Sequence, residues 1–225
     1  MKGLRAWVII FSVALLVFIS VIQAFAAHPG TVRIIVNHQG DGRYYGSGTI
    51  LDGKRGLILT CAHVVRHYEK RNLTVEVFGR DDRRLAIAYG RPVAIDKQHD
   101  VAIVMISPNL THIQSFVADP NIKLNVGDNV RLAGGAGGGI PQIWSARISG
   151  VDRYIGGSIE TSNVVPQGVS GGGVYNYRGR LIGVISATDP VDKTGFHIPI
   201  KHAYKLVNEV AIKFGWRNYR CGPVG

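Results

Sequence analysis

Residues 31–200 limit the possible fold most strongly, because short apolar runs there are interrupted again and again by glycine. Glycine supplies 29 of 225 residues, about 13% of the chain against a usual ~7%. Such runs are too short for most helices, and glycine between them permits the tight turns that connect strands. Strands are expected at 31–36, 45–51, 56–60, 73–78, 84–89, 101–106, 130–133, 143–151, 174–177, 181–187 and 195–200. Leu73, Val75 and Val77 alternate with Thr74 and Glu76, the pattern of a half-buried strand. Arg178-Gly179 reads as a hairpin turn between two apolar runs. The set fits an all-β barrel or sandwich, or two small barrels side by side. One helix is expected at about 201–214, with Ala203, Leu206, Val207, Val210, Ala211 and Phe214 on a single stripe.

The N-terminus is different in kind. Lys2 and Arg5 precede an uncharged apolar run over 6–27 that ends in small residues around Ala24 and Ala26. Positive residues, an apolar stretch and small residues are the parts of an export signal, and about 20 apolar residues can also span a bilayer. Residues 1–27 are therefore expected to be a signal peptide cleaved after Ala26 or a retained signal-anchor helix, with 28–225 forming one domain. Either outcome places the domain across a membrane, so the expected location is secreted, periplasmic or cell envelope. Membrane contact would run through residues 6–27.

The net charge is +11, and loss of Lys2 and Arg5 with a cleaved signal lowers it by two. The positive residues are scattered, with no basic run interleaved with aromatics, so no nucleic-acid partner is expected. Two cysteines are too few for a disulfide framework. A bridge from Cys61 to Cys221 would tie down the tail in an oxidising compartment, though nothing local brings the two together.

Three patches carry chemistry. Residues 46–65, GSGTILDGKRGLILTCAHVV, end a strand in Thr-Cys-Ala-His. Residues 95–106, IDKQHDVAIVMI, place Asp100 at the start of an apolar strand. Residues 167–187, QGVSGGGVYNYRGRLIGVISA, set Ser170 in a glycine nest. A serine hydroxyl becomes a useful nucleophile when a histidine accepts its proton. A buried carboxylate fixes that histidine's tautomer and stabilises the imidazolium. Glycines around Ser170 let the backbone approach a substrate carbonyl, where the N–H groups of Gly168 and Ser170 can meet the developing oxyanion.

These patches resemble the trypsin-like, chymotrypsin-fold serine peptidases, and within them the bacterial HtrA/Deg branch. That branch carries a GSG-I…G-ILT-AHVV start, a D-x-x-x-D-x-A strand and a G-x-SGG-x-x-x-N-x-x-G-x-x-IG block. Residues 126–153 and 194–207 look like it too, so the resemblance spans roughly 31–210. It implies two six-stranded antiparallel β-barrels with a C-terminal helix, without the PDZ peptide-binding domain many members carry. It also implies a serine endopeptidase with no metal or organic cofactor, acting on protein or peptide substrates. By position His63 matches the base, Asp100 the orienting carboxylate and Ser170 the nucleophile, with Asp96 the rival carboxylate. Val169 departs from the Asn or Asp usual before the nucleophile, which removes a side-chain contact from the oxyanion loop. A catalytically silent trypsin-like fold that binds proteins is the alternative.

The resemblance extends to substrate binding. Val164 falls at the pocket base, and with Val165 and Pro166 nearby no carboxylate is present to receive Lys or Arg. Gln167 borders the same pocket, and Ser186, Ala187 and Thr188 match the edge that pairs with an extended substrate. His197 replaces a small residue and would receive an acidic or amide side chain if it faces the pocket. His63 and His67 have a zinc-compatible spacing on a helix, but the glutamate of the metallopeptidase pattern is missing. The AGGAGGG stretch over 133–139 lacks the Lys-Ser/Thr of a phosphate loop and reads as a flexible loop near the active site.

Overall fold

A computed structural model of the chain describes residues 30–38, 42–69, 72–79, 81–107, 120–152 and 157–216. The expected N-terminal signal or anchor helix and Cys221 lie outside the described residues. Among the described residues, no helix is long and apolar enough to cross a membrane.

Among the described residues, twelve strands form two closed antiparallel barrels. The first contains β1 (Thr31–His38), β2 (Gly42–Asp52), β3 (Leu57–Cys61), β4 (Leu73–Phe78), β5 (Arg84–Asp96) and β6 (Val101–Ile106). They close in the order β1-β2-β3-β6-β5-β4. The second contains β7 (Asn129–Gly134), β8 (Gln142–Val151), β9 (Ile159–Thr161), β10 (Gly173–Asn176), β11 (Leu181–Asp189) and β12 (Thr194–Pro199). Its order is β10-β11-β12-β9-β8-β7. Closure leaves neither barrel a free outer edge strand.

Continuous apolar runs mark the seam between the barrels. In β3, Ile58 points into the first barrel with Ala102, Val104 and Ile106 of β6. Its neighbours Leu57, Leu59 and Cys61 face outward with Val101 and Ile103, and meet Tyr175, Leu181 and Val184 of the second barrel. Successive strand residues point to opposite faces, so Leu57, Ile58, Leu59 and Cys61 are all buried because both faces are covered, and the buried Thr60 hydroxyl is satisfied by the Ser47 carbonyl, 2.7 Å. The helix, α1 (Ile200–Lys213), lies on this seam through Ile200, Ala203, Leu206, Val207 and Val210. Burying side chains of this size contributes about 1.5–3 kcal/mol each, so the seam acts as a third core. It joins the ends of β3, β6 and β10, where the chemically interesting residues lie.

Two expectations fell short at strand level. β5 continues past Tyr89 to Asp96, with a register shift between Pro92 and Ala94; proline lacks the N–H for a ladder bond and is accommodated at a bulge. β9 was missed because three residues are too few to show alternation. The hairpin at Arg178-Gly179 is present, with Gly179 at φ +73° and its N–H donating to the Asn176 carbonyl, 2.9 Å.

Candidate active site

His63 follows β3 directly and opens a single 3-10 turn, His63–Val65. Asp100 ends the tight turn before β6 and takes φ +55°, a left-handed conformation that aspartate tolerates better than most residues. The Ala62 N–H donates to the Asp100 carbonyl, 3.0 Å, and the His63 N–H to Asp100 Oδ1, 2.9 Å. His63 Nδ1 lies 2.7 Å from Asp100 Oδ2. The Ser186 hydroxyl donates to that same oxygen, 2.9 Å. Burial pushes the Asp100 carboxyl up, but the His63 side chain, the His63 N–H and Ser186 outweigh it and hold the group below its ordinary range.

Asp96 is occupied elsewhere. It accepts from the Gln98 and His99 N–H groups and pairs with His99 Nδ1 at 2.7 Å, and the His99 ring stacks on His202. His67 stacks on Tyr44 and does not converge with His63. Among the described residues, the cluster with ligand-like proximity is Cys61, His63 and Asp100, whose donor atoms lie within 4.8 Å of one another. Cys61 is a free, fully buried thiol that donates to the Ile185 carbonyl, 3.2 Å. Burial, with the Asp100 charge beside it, raises its pKa well above the ordinary value, away from the thiolate a metal needs.

Ser170 sits in the loop before β10. Its hydroxyl donates to the Ser186 carbonyl, 2.8 Å, so Ser186 bonds both Ser170 and Asp100. A continuous chain of contacts thus runs His63, Asp100, Ser186, Ser170. Gly168 has φ +91°, and a Cβ there would lie 2.7 Å from the Gly135 carbonyl oxygen. Val169 is fully buried in the core of the second barrel, so apolar packing replaces the side-chain contact expected there.

The glycine-rich stretch is better held than expected. The Gly135 N–H donates to Ser47 Oγ, 2.8 Å, and the Gly137 N–H to the Gln167 carbonyl, 2.7 Å. Ser47 and Gly137 were not singled out in the sequence. The GSG signature containing Ser47 was visible, but the reach from β2 into the nucleophile loop was not.

The remaining predicted residues divide. Val164 and Gln167 are exposed. Residues 186–188 of β11 extend beyond the start of β10 at Gly173, where Val184 is its partner. β12 covers them on one side only, with Ala187 opposite Phe196 and Thr188 opposite Gly195. His197 pairs in register with Ile185 and Ile159, both in the second-barrel core, and so points inward with them. Its Nε2 lies 2.8 Å from Thr161 Oγ1, while Nδ1 is buried without a partner. Two surface clefts of about 410 and 330 Å³ lie around Ile122 and Leu124, and none of the predicted site residues lines them.

Burial lowers the His197 pKa from 6.5 to about 3. The unfolded chain therefore takes up a proton near pH 6.5 that the folded protein refuses until near pH 3, so this residue withdraws stability as pH falls through that window. Above the window both states are neutral and the effect vanishes. His197→Gln is expected to flatten the stability profile there by up to about 1.4 kcal/mol per pH unit. Urea unfolding of both proteins across a pH series measures it, and parallel profiles would refute the assignment.

Comparison with known proteins agrees with this architecture. Residues 46–184 match the family described as Trypsin-like peptidase domain. A Haemophilus influenzae protein named "Probable periplasmic serine protease do/HhoA-like" is 32% identical over 186 residues, covering 77% of this chain and 38% of that protein. The Escherichia coli protein "Periplasmic pH-dependent serine endoprotease DegQ" is 29% identical over 184 residues, covering 76% and 38%. The chain thus spans well under half the length of these relatives. The crystal structure of the serine endoprotease from Yersinia pestis superposes with a TM-score of 0.69 at 27% identity, covering 84% of this chain and 65% of that one. With the family match spanning most of its length and both barrels closed as that fold requires, the chain belongs to the trypsin-like peptidase domain family, with homology to the HtrA, DegP and DegQ proteases.

Proposed function

We propose that the protein is an exported serine endopeptidase in which His63 is the general base, Asp100 its orienting carboxylate and Ser170 the nucleophile. The observation that carries this reading is the His63–Asp100 pair, with Nδ1 2.7 Å from Oδ2 and the His63 N–H on Oδ1, set at the same seam where the Ser47 N–H of the first barrel donates to the Ser170 carbonyl, 2.8 Å. Rotation of the Ser170 hydroxyl away from the Ser186 carbonyl would free it for His63; such contacts often tighten only when substrate arrives. Ser170 Oγ then bonds to the scissile carbonyl carbon as its proton passes to His63 Nε2. The Gly168 and Ser170 N–H groups stabilise the oxyanion. Collapse breaks the C–N bond, the leaving amine takes the proton from His63, and water hydrolyses the acyl ester by the reverse sequence. Each step is internal to these residues and water.

The side of 186–188 away from β12 offers backbone groups to an extended peptide, a strand addition beside Ser170. The pocket reading places Val164 at the base, with Gln167 at its rim and His197 behind. His197 is held neutral and is buried beside Ile185 and Ile159, so it brings no positive charge to the pocket. That favours an apolar or amide side chain over a carboxylate. The N-terminal sequence and the periplasmic relatives support an envelope or periplasmic location.

The engagement of the Ser170 hydroxyl by Ser186 is the one observation favouring the second reading, a silent fold that binds proteins. A fluorophosphonate probe separates the two. In an active site the Ser170 Oγ–P bond forms, fluoride leaves and His63 accepts the proton. Stoichiometric labelling at neutral pH that is lost in His63→Ala is the expected result. An unlabelled, folded wild type would decide for the binding module.

A further inference from the structure

The loss of the usual polar residue at Val169 leaves open what keeps the oxyanion loop in order. Three successive carbonyls of that loop are each tied down. The Gln167 carbonyl accepts from the Gly137 N–H, the Gly168 carbonyl from the Ser47 hydroxyl at 2.8 Å, and the Val169 carbonyl from the Gly172 N–H at 3.0 Å. In a trans peptide the N–H points opposite to the C=O. Fixing the Gln167 and Val169 carbonyls therefore aims the N–H groups of Gly168 and Ser170, and fixing the Gly168 carbonyl sets the plane between them.

Two of these ties lead to the first barrel. Ser47 of β2 is fully buried and makes two contacts with the loop and one with the glycine-rich stretch beside it. Its N–H donates to the Ser170 carbonyl, 2.8 Å, and its hydroxyl donates to the Gly168 carbonyl while accepting from the Gly135 N–H. The second tie is indirect. Arg33 of β1 donates through Nη1 to the Gly138 carbonyl, which holds the glycine-rich turn that presents Gly137. Arg33 is itself fixed by Glu76, 2.6 Å from Nε, and Arg84 supports Glu76 from its other oxygen at 3.0 Å.

We propose that the oxyanion loop is positioned from the first barrel, directly by Ser47 and through the glycine-rich turn by Arg33. Ser47 and Arg33 are positioning residues, since neither touches the reacting atoms. Their arrangement makes transition-state stabilisation depend on how the two barrels are docked, with fixed backbone donors replacing the missing side chain at Val169. The inference rests on the peptidase reading above and concerns how the same site works.

The test uses the full chain, with active sites counted by fluorophosphonate titration. Loss of a whole oxyanion donor costs about 10²–10³ in turnover, so misplacing one should cost less. Ser47→Ala is expected to lower kcat per titrated site about ten- to hundredfold with KM within about twofold. Affinity for a peptide boronic acid, whose adduct with serine is tetrahedral, should fall in the same proportion. A purely structural role would lower the melting temperature and leave kcat per titrated site unchanged. A folded Ser47→Ala enzyme with kcat within threefold of wild type overturns the proposal. If Ser47→Ala does not fold, Arg33→Gln decides, because Arg84 still compensates Glu76. A fall in kcat of threefold or more at constant KM, restored in part by Arg33→Lys, supports the proposal, and an unchanged kcat overturns it. A wild type inert to both substrate and probe would instead remove the peptidase reading itself, before either variant is compared.

Discussion

Ser170→Ala is expected to reduce turnover of a cleavable peptide by roughly 10⁶, to the residual rate that binding and backbone donors sustain without a nucleophile. The size follows from what is removed. Among the described residues, no other hydroxyl has Ser170's combination of a glycine nest, an open strand edge and the contact chain to His63. Its nearest hydroxyl relative, Ser186, already donates to Asp100 and lies in β11. The substitution removes only an oxygen from a half-buried position, so fold and peptide affinity should survive. The check is kcat and KM on a fluorogenic peptide, with binding of uncleaved substrate measured on the variant. A loss under tenfold with normal folding would place the nucleophile elsewhere.

The second large effect concerns the carboxylate. Asp100→Asn preserves shape but changes which groups can donate. An amide can present N–H to His63 Nδ1, which favours the tautomer with its proton on Nε2, where a general base must be empty. A comparable change in a triad hydrolase costs about 10⁴ in kcat, and a similar loss is expected here at neutral pH. The lowered Asp100 pKa keeps the group ionised further into acid than an ordinary aspartate, because the His63 side chain, the His63 N–H and Ser186 favour the charged form. Its contribution to stability is present above the ordinary carboxylate value of about 3.9 and is lost as pH falls through the lower folded value. Asp96→Asn provides the contrast: it should weaken the turn held with His99 and leave kcat within a few fold. Comparable losses in the two variants would overturn the assignment to Asp100.

The legibility of the site follows from sequence distance. His63 and Ser170 could be read because each carries its own local frame, a strand ending in Thr-Cys-Ala-His and a serine among glycines. The choice between Asp96 and Asp100 was weaker, since both precede an apolar strand. Asp100 was preferred because it directly abuts the strand VAIVMI; in the structure Asp96 pairs with His99 and Asp100 with His63. Ser186 was recognised only as part of an edge, whereas its hydroxyl also completes the Asp100 carboxylate. Ser47 and Arg33 escaped notice because their partners lie 121 and 105 residues away along the chain. A pattern read in short windows carries no information about such pairs.

Local chemistry in the sequence therefore determined the strand-rich class, the closing helix, the export-like N-terminus and the residue types able to perform acyl transfer. Each depends on periodicity, turn-forming residues or side-chain chemistry that a short window contains. Strand periodicity alone left barrel and sandwich open; the family resemblance implied two six-stranded barrels, and the tertiary structure shows both closed. Only that structure decided that the doubly apolar strands form a seam, and that the first barrel reaches across it to hold the loop of the second. Those outcomes depend on which faces meet after closure. The same alternation of apolar residues is compatible with several closures, and only the packed whole selects one.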